Sequence, residues 1–328
     1  MNVRIHKSDL MEASVDNYYP AHFRSDAEGG ITERTLSASI LGAEGTYQEL
    51  YMENIHIGYG DFHMSNQTEL TFEAEMETVE MHFALFGDTL ARDLATDQPY
   101  AFGYNQHNII YASDFRGRSI FPPRQGIKIF EINLLPTFFT RFLPPGQKSF
   151  VAFLRSLERQ ESTLLSPHNF PITPSMHLII QEILNCNRQG IFKRMFLEAK
   201  VIELLLLQLE QICALDRSKP SAITKQERER MYAVRRYLLD NFDHPSTLSQ
   251  LAHRFGTNEY ALKKGFKEVF GTTVFNFWNT AKMEQAQKLL REEGCTVSEV
   301  ADQVGYKNPQ HFTTAFKKRF GYPPSKLR

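Results

Sequence analysis

Cysteine is scarce in this chain: three in 328 residues. Cys186, Cys213 and Cys295 lie too far apart for a Cys-x2-Cys metal or redox pair. They read as separate thiols of a reducing compartment. Long apolar runs are missing too. The richest, 201–209, is broken by Glu203 and Gln208 and is too short to cross a bilayer. Residues 1–7 lack the apolar stretch of a secretory leader, so the expectation is a cytoplasmic chain with no membrane partner. There is no phosphate loop and no nucleophile elbow. His56, His63, His82 and His107 fall in the first half, but no His-x-His pair brings two metal ligands together. The expectation is no catalytic residue, no cofactor and no metal: not an enzyme.

Net charge is nearly absent as well, at −1, but the balance is uneven. Residues 220–328 carry 18 lysines and arginines against 11 acidic residues, whereas 1–219 carry 19 against 27. A basic C-terminal part at +7 follows an acidic part at −8, which suits phosphate attraction in the former.

The basic part contains a repeat with a spacing of 50. Phe266-Lys267 and Phe270-Gly271 return as Phe316-Lys317 and Phe320-Gly321, and Phe312 answers Leu262. A short helical pattern ending in glycine precedes each copy: 248–252 up to Gly256, and 297–301 up to Gly305. Glycine suits the left-handed turn between two helices, and Asn258 and Asn308 stand where N-caps are needed. Leu262, Phe266, Val269 and Phe270 recur at the spacing of one buried helical face. Tyr260, Lys263, Lys264 and Lys267 fall on another. In the second copy Gln310, Thr313, Thr314 and Lys317 take the equivalent outer face. Residues 277–290 read as one helix joining the copies, a rod that would set the distance between the two outer faces.

From about Ser246 to Arg328 the chain resembles the DNA-binding domain of AraC/XylS-type bacterial transcription regulators. The resemblance rests on Leu248-x2-Leu251-Ala252-x3-Gly256, Leu262-x3-Phe266-Lys267-x3-Gly271, Lys282-x3-Ala286-x2-Leu289-Leu290, Val300-Ala301-x3-Gly305-Tyr306 and Phe312-x3-Phe316-Lys317-x2-Phe320-Gly321. It implies two helix-turn-helix units on double-stranded promoter DNA, with RNA polymerase as a partner. Tyr260, Lys263, Lys264, Gln310, Thr313 and Thr314 are the candidates for reading bases. Lys267, Lys317, Lys318 and Arg319 are the candidates for phosphates. Gly265 departs from the pattern where an apolar residue usually packs. Inside a helix it should cost about 0.5–1 kcal/mol relative to alanine and loosen the first recognition helix.

Between about 31 and 135, alternating or apolar segments (69–76, 79–86, 107–111, 127–134) are punctuated by Gly58, Gly60, Gly87, Gly103, Gly117 and Gly126. Period-two alternation with glycine turns predicts a β-sandwich or small barrel, and the resemblance implies a jelly-roll-like or cupin-like sensor. Tyr100, Phe102, Tyr104 and His107 are its candidates for an effector pocket. The 81–87 stretch and the Gln106-His107 pair resemble regulators that respond to ferric siderophores. After Pro136 the pattern turns helical, broken at Pro144-Pro145-Gly146, with further helices expected over 174–185 and 191–215. The last is apolar around much of its circumference and needs burial, in a dimer or within the chain.

The expectation is therefore an α+β multidomain protein: a β-barrel or jelly-roll-like sensor over 1–135, dimerisation helices over 136–216, a linker over 217–224, and an all-α DNA-binding domain over 225–328. It acts as a homodimeric, effector-controlled regulator, most simply an activator. Two alternatives remain open: a metal-dependent cupin-like enzyme with an accessory DNA-binding domain, and a regulator that needs no ligand.

Overall fold

The computed structural model describes residues 2–3, 17–18 and 30–327, except 41–42, 75–76, 114, 122–124, 144–146, 218–223, 243–245 and 292–294. The Pro144-Pro145-Gly146 interruption and most of the expected linker lie outside the described residues. The chain divides into two compact units, Met1–Pro220 and Ser221–Arg328.

The first unit begins with a small pair, β1 (Asn2–Val3) and β2 (Asn17–Tyr18). Ten longer strands follow: β3 (Thr32–Ile40), β4 (Ala43–Met52), β5 (Ile55–Met64), β6 (Thr68–Ala74), β7 (Thr78–Phe86), β8 (Thr89–Asp93), β9 (Pro99–Phe102), β10 (Gln106–Ala112), β11 (Phe115–Phe121) and β12 (Gln125–Leu134). Then come α1 (Pro136–Phe139), α2 (Lys148–Glu158), the two-residue strands β13 (Thr163–Leu164) and β14 (Phe170–Pro171), α3 (Pro174–Leu184) and α4 (Gly190–Arg217).

The strands form one sheet in the order β13-β10-β7-β12-β5-β4-β3, with β14 also on β10, and a second in the order β6-β11-β8-β9. Alternation decides which face each side chain takes. Along β7, Val79, Met81 and Phe83 are fully buried toward the helices, while Glu80, His82 and Ala84 face the other way. The helix-side core joins Ile57, Phe130 and Ile132 of the sheet to Phe139, Phe153, Ile180, Val201 and Leu204. Each such apolar side chain contributes about 1.5–3 kcal/mol by leaving water. On the opposite face the second sheet closes over Ala84 and Ile110 with Tyr100 and Phe102, and a separate cluster joins Met64 and Ile127 to Phe121.

The expected barrel does not form. Among the described residues, β3 pairs only with β4, and the far side of β10 is covered only by the two short strands β13 and β14. The sheet stays open, and two facing sheets bury what a closed barrel would have enclosed.

The broad apolar surface of α4 is divided. Leu197, Val201, Leu204, Leu205, Leu209 and Ile212 enter the core, whereas Ile191, Phe192, Met195 and Leu206 are exposed. Packing within the chain accounts for one face of the helix only.

The second unit is helical: α5 (Lys225–Asp240), α6 (Leu248–Arg254), α7 (Glu259–Phe270), α8 (Val274–Arg291), α9 (Val297–Gln303) and α10 (Pro309–Phe320). Capping boxes at Thr224, Thr247 and Thr296 start α5, α6 and α9. Gly256 and Gly305 turn the chain with φ of 61° and 75°, and Gly271 and Gly321 end α7 and α10 in the same left-handed region.

Candidate nucleic-acid interface and sensor face

In the second unit, the two short helix pairs repeat one arrangement. Asn258 Oδ1 accepts from the Ala261 N–H at 2.8 Å, and Asn308 Oδ1 from the Gln310 N–H at 2.8 Å. These caps start α7 and α10 just past their glycine turns. The buried stripes are Leu262, Phe266, Val269 and Phe270 in α7, and Phe312 and Phe316 in α10. Burying those faces turns the other faces outward. Tyr260 is 75% exposed, and Lys263, Lys264, Lys267, Gln310, Thr314, Lys317 and Lys318 are exposed as well.

Four candidates are engaged within the unit itself. Thr313 is half-buried and returns its hydroxyl to the Pro309 carbonyl at 2.9 Å. Thr314 does the same with the Gln310 carbonyl, at 3.0 Å. Lys263 stands 3.6 Å from Glu259 one turn back. Arg319 reaches the nearly buried Glu284 of α8 at 3.1 Å, so its guanidinium is tied to the unit's own frame. Lys307 and His311 are exposed beside Gln310, outside the expected set. The exposure of His311 follows from the α10 stripe and was available from it, whereas Lys307 precedes the helix.

Gly265 has a packing neighbour that the repeat does not show. It is buried, and a Cβ there would stand 3.1 Å from Met231 Sδ on α5. The missing side chain gives room to α5, a helix the repeat does not include.

In the first unit, the four pocket candidates separate. Tyr100, Phe102 and Tyr104 sit on the face between the sheets, 4%, 4% and 7% exposed. They fill that space; burial and the charge of Asp93 push the Tyr100 hydroxyl up to about 12. His107 points the other way, toward α4. Gln208 Nε2 donates to its Nδ1 at 2.9 Å, and its Nε2 meets Gln211 Oε1 at 2.6 Å. Burial pushes its imidazole down to about 4. The reason is strand alternation: 100 and 102 lie on β9, but 107 lies on β10 with its partner Phe83 on the helix side.

Between the sheets lies a polar row that histidine spacing alone did not reveal. Arg34, Glu49, Gly58, Glu131 and His82 are successive cross-strand partners on β3, β4, β5, β12 and β7. Arg34 donates to Glu49 at 2.6 Å and Tyr51 to the same carboxylate at 2.8 Å, with His56 Nε2 3.6 Å away. Burial favours the neutral acid here, but these three neighbours outweigh it and hold Glu49 down at about 2. Glu131 goes the opposite way, up to about 7, through burial and the like charge of Glu80, against a hydrogen bond from the Tyr47 hydroxyl. Gly58 permits this, because a Cβ there would overlap the Tyr47 hydroxyl and the Glu131 side chain. Glu80, His82 and Glu131 bring three donor atoms within 4.8 Å of one another. The available signal was Glu-x-His on one strand; the second glutamate is 49 positions further on.

Comparison with known proteins places these two regions in known families. Residues 45–225 match the regulatory protein PchR N-terminal domain, and residues 251–328 match a helix-turn-helix domain. Regulatory protein PchR of Pseudomonas aeruginosa is 35% identical over 128 residues, covering 39% of this chain and 43% of that protein. The HTH-type transcriptional activator RhaS of Pectobacterium carotovorum is 27% identical over 124 residues, 38% of this chain and 43% of that one. The chain thus spans less than half the length of these relatives. Among solved structures, ToxT from Vibrio cholerae aligns over 82% of this chain and 97% of its own, at 14% identity and a TM-score of 0.29.

Proposed function

Because the chain belongs to the AraC-type regulators that carry a PchR N-terminal domain, we propose that it is a sequence-specific transcription regulator, an activator controlled by a small molecule bound in its first unit. The observation that carries this reading is the paired outer face of the second unit. Exposed Tyr260, Lys264 and Lys267 on α7 have their counterparts in exposed Gln310, Thr314 and Lys317 on α10. A helix of 18 residues stands between them, about 27 Å long at 1.5 Å per residue. A duplex presents its major groove on one side about every 34 Å, so one such unit suits two neighbouring grooves as a double helix-turn-helix.

In this reading Gln310 pairs with an adenine edge and Lys264 with guanine O6/N7, and Lys267, Lys317 and Lys318 hold phosphates. The first unit is a jelly-roll-like sensor. The exposed side of α4 (Phe192, Met195, Leu206) meets a second copy, and RNA polymerase is the further partner at the promoter, in the cytoplasm. Effector binding acts by favouring one arrangement of sensor and reader over another.

Selection of genomic fragments by the purified full-length protein tests this. A shared site with two boxes about one helical turn apart is the expected result. A pool without a common sequence, both from the full chain and from residues 221–328, overturns it.

A further inference from the structure

On the face between the two sheets, Glu80, His82 and Glu131 converge, two carboxyl groups beside one imidazole. Residues 80 and 82 share a face because they are two apart on β7, and Glu131 lies directly across from His82 on β12. Their donor atoms lie within 4.8 Å of one another, all half-buried. His82 Nδ1 is 2.7 Å from Glu80 Oε1, while its Nε2 is buried and has no hydrogen-bond partner among the described residues. Glu131 accepts from the Tyr47 hydroxyl.

Among the described residues, neither glutamate pairs with a lysine or arginine. Arg34 is used by Glu49, and Lys128 by Asp61. Carboxylates gathered out of bulk water repel one another, and a cation is the direct remedy.

We propose that Glu80, His82 and Glu131 form a binding site for one divalent transition-metal cation of the zinc, manganese or iron(II) class. One imidazole with two carboxylates suits these ions, whereas calcium and magnesium take oxygen donors alone. Donors bound at about 2.1 Å stand roughly 3–4 Å apart around one ion, so a contraction on the order of 1 Å closes the set. Carboxylate rotation supplies it. Tyr47 orients Glu131, and bare Gly58 gives Tyr47 its place; such second-layer contacts fix a ligand's direction. Three protein donors leave a coordination position for water. The cation would join β7 to β12 through their side chains. This inference stands whether or not the second unit binds DNA.

The test uses the full-length chain, stripped with a chelator, desalted, and titrated calorimetrically with Zn2+. One saturable equivalent is expected. Its affinity should fall at least about tenfold in Glu80→Gln, His82→Gln and Glu131→Gln, since even an outer partner's loss costs that much. His253→Gln, at an exposed position on α6, should bind as the parent does. Where His82→Gln changes the far-ultraviolet circular dichroism of the metal-free protein, Glu80→Gln decides, its side chain being 20% exposed. Cobalt(II) should give a visible spectrum without a thiolate charge-transfer band. Absence of a saturable equivalent, parental affinity in the glutamine variants, or a thiolate band from the cysteines would each overturn the site.

Discussion

Gln208 on α4 donates through Nε2 to His107 Nδ1 on β10, at 2.9 Å, within a core where both side chains are buried. Because Nδ1 accepts, the ring proton sits on Nε2 and is given to Gln211 Oε1 at 2.6 Å. One neutral imidazole thereby ties the sheet to two successive turns of the long helix. A protonated ring would have two donors and would turn one of them against the Gln208 amide.

That relationship sets a pH dependence. Burial lowers the folded-state pKa of His107 from 6.5 to about 4. Between those values the unfolded chain binds the proton and the folded chain does not, so stability rises with pH across this window and is lost as pH falls from about 6.5 toward 4. His56, also buried with a lowered pKa, acts in the same direction. Glu131, raised to about 7, acts in the opposite direction over the same range, so the contribution of His107 is read as a difference: the loss of melting temperature between pH 7 and pH 5 is set against that of a His107 variant. In His107→Gln the shift should be smaller, at a lower overall melting temperature. An equal shift in both proteins would assign the dependence to other groups.

Gly265 leads to a second prediction. Its open Cβ position lies 3.1 Å from Met231 Sδ, the mobile end of a flexible side chain that yields readily. Alanine gains about 1 kcal/mol of helix propensity against a small displacement of Met231. Gly265→Ala should leave the melting temperature of the second unit unchanged or slightly raised. Gly265→Leu should lower stability by about 1–3 kcal/mol, the cost of overpacking. Calorimetric melting of both variants checks this; a marked loss with alanine would mean that Met231 cannot move.

The contrast between Gly265 and the rest of α7 shows where the sequence was legible. Stripe, cap and glycine turn are local, so 262–270, Asn258 and Gly256 could be read directly, and the second copy repeats them. Strands β7, β10 and β12 were likewise visible from alternation. The neighbour of Gly265 was not legible, because Met231 lies 34 positions earlier on a helix with no counterpart in the repeat. His107 misled because a one-residue change of parity turns a side chain to the other face of a sheet. Glu131 could not be associated with Glu80 and His82 from the sequence, since their meeting depends on which strands become neighbours.

If the outer faces read DNA as proposed, Gln310→Ala and Lys317→Ala should fail differently. Gln310→Ala should cost about 1–3 kcal/mol on the selected site and relax preference at one base pair. Lys317→Ala should weaken binding on all sequences and lower the slope of log affinity against log salt by about one. Binding isotherms at several salt concentrations, on the selected site and on a scrambled duplex, separate the two. Equal losses for Gln310→Ala on both duplexes would remove direct readout.

Arg319 and Lys318 are adjacent on α10 but should behave unlike each other. Arg319 is held at 3.1 Å by Glu284, whose side chain is only 7% exposed, while Lys318 is exposed beside it. Removing the arginine leaves a nearly buried carboxylate without this cation, a loss larger than that of an ordinary surface pair, which is worth about 0–1 kcal/mol. Its own half-exposure limits the effect. Arg319→Ala should therefore lower the melting temperature of the second unit and leave the salt slope of DNA binding unchanged, whereas Lys318→Ala should do the reverse. Glu284→Gln combined with Arg319→Ala should recover part of the stability, because the nearly buried carboxylate charge is then gone. A reduced salt slope for Arg319→Ala at parental stability would return it to the phosphate contacts and make Glu284 a passive neighbour.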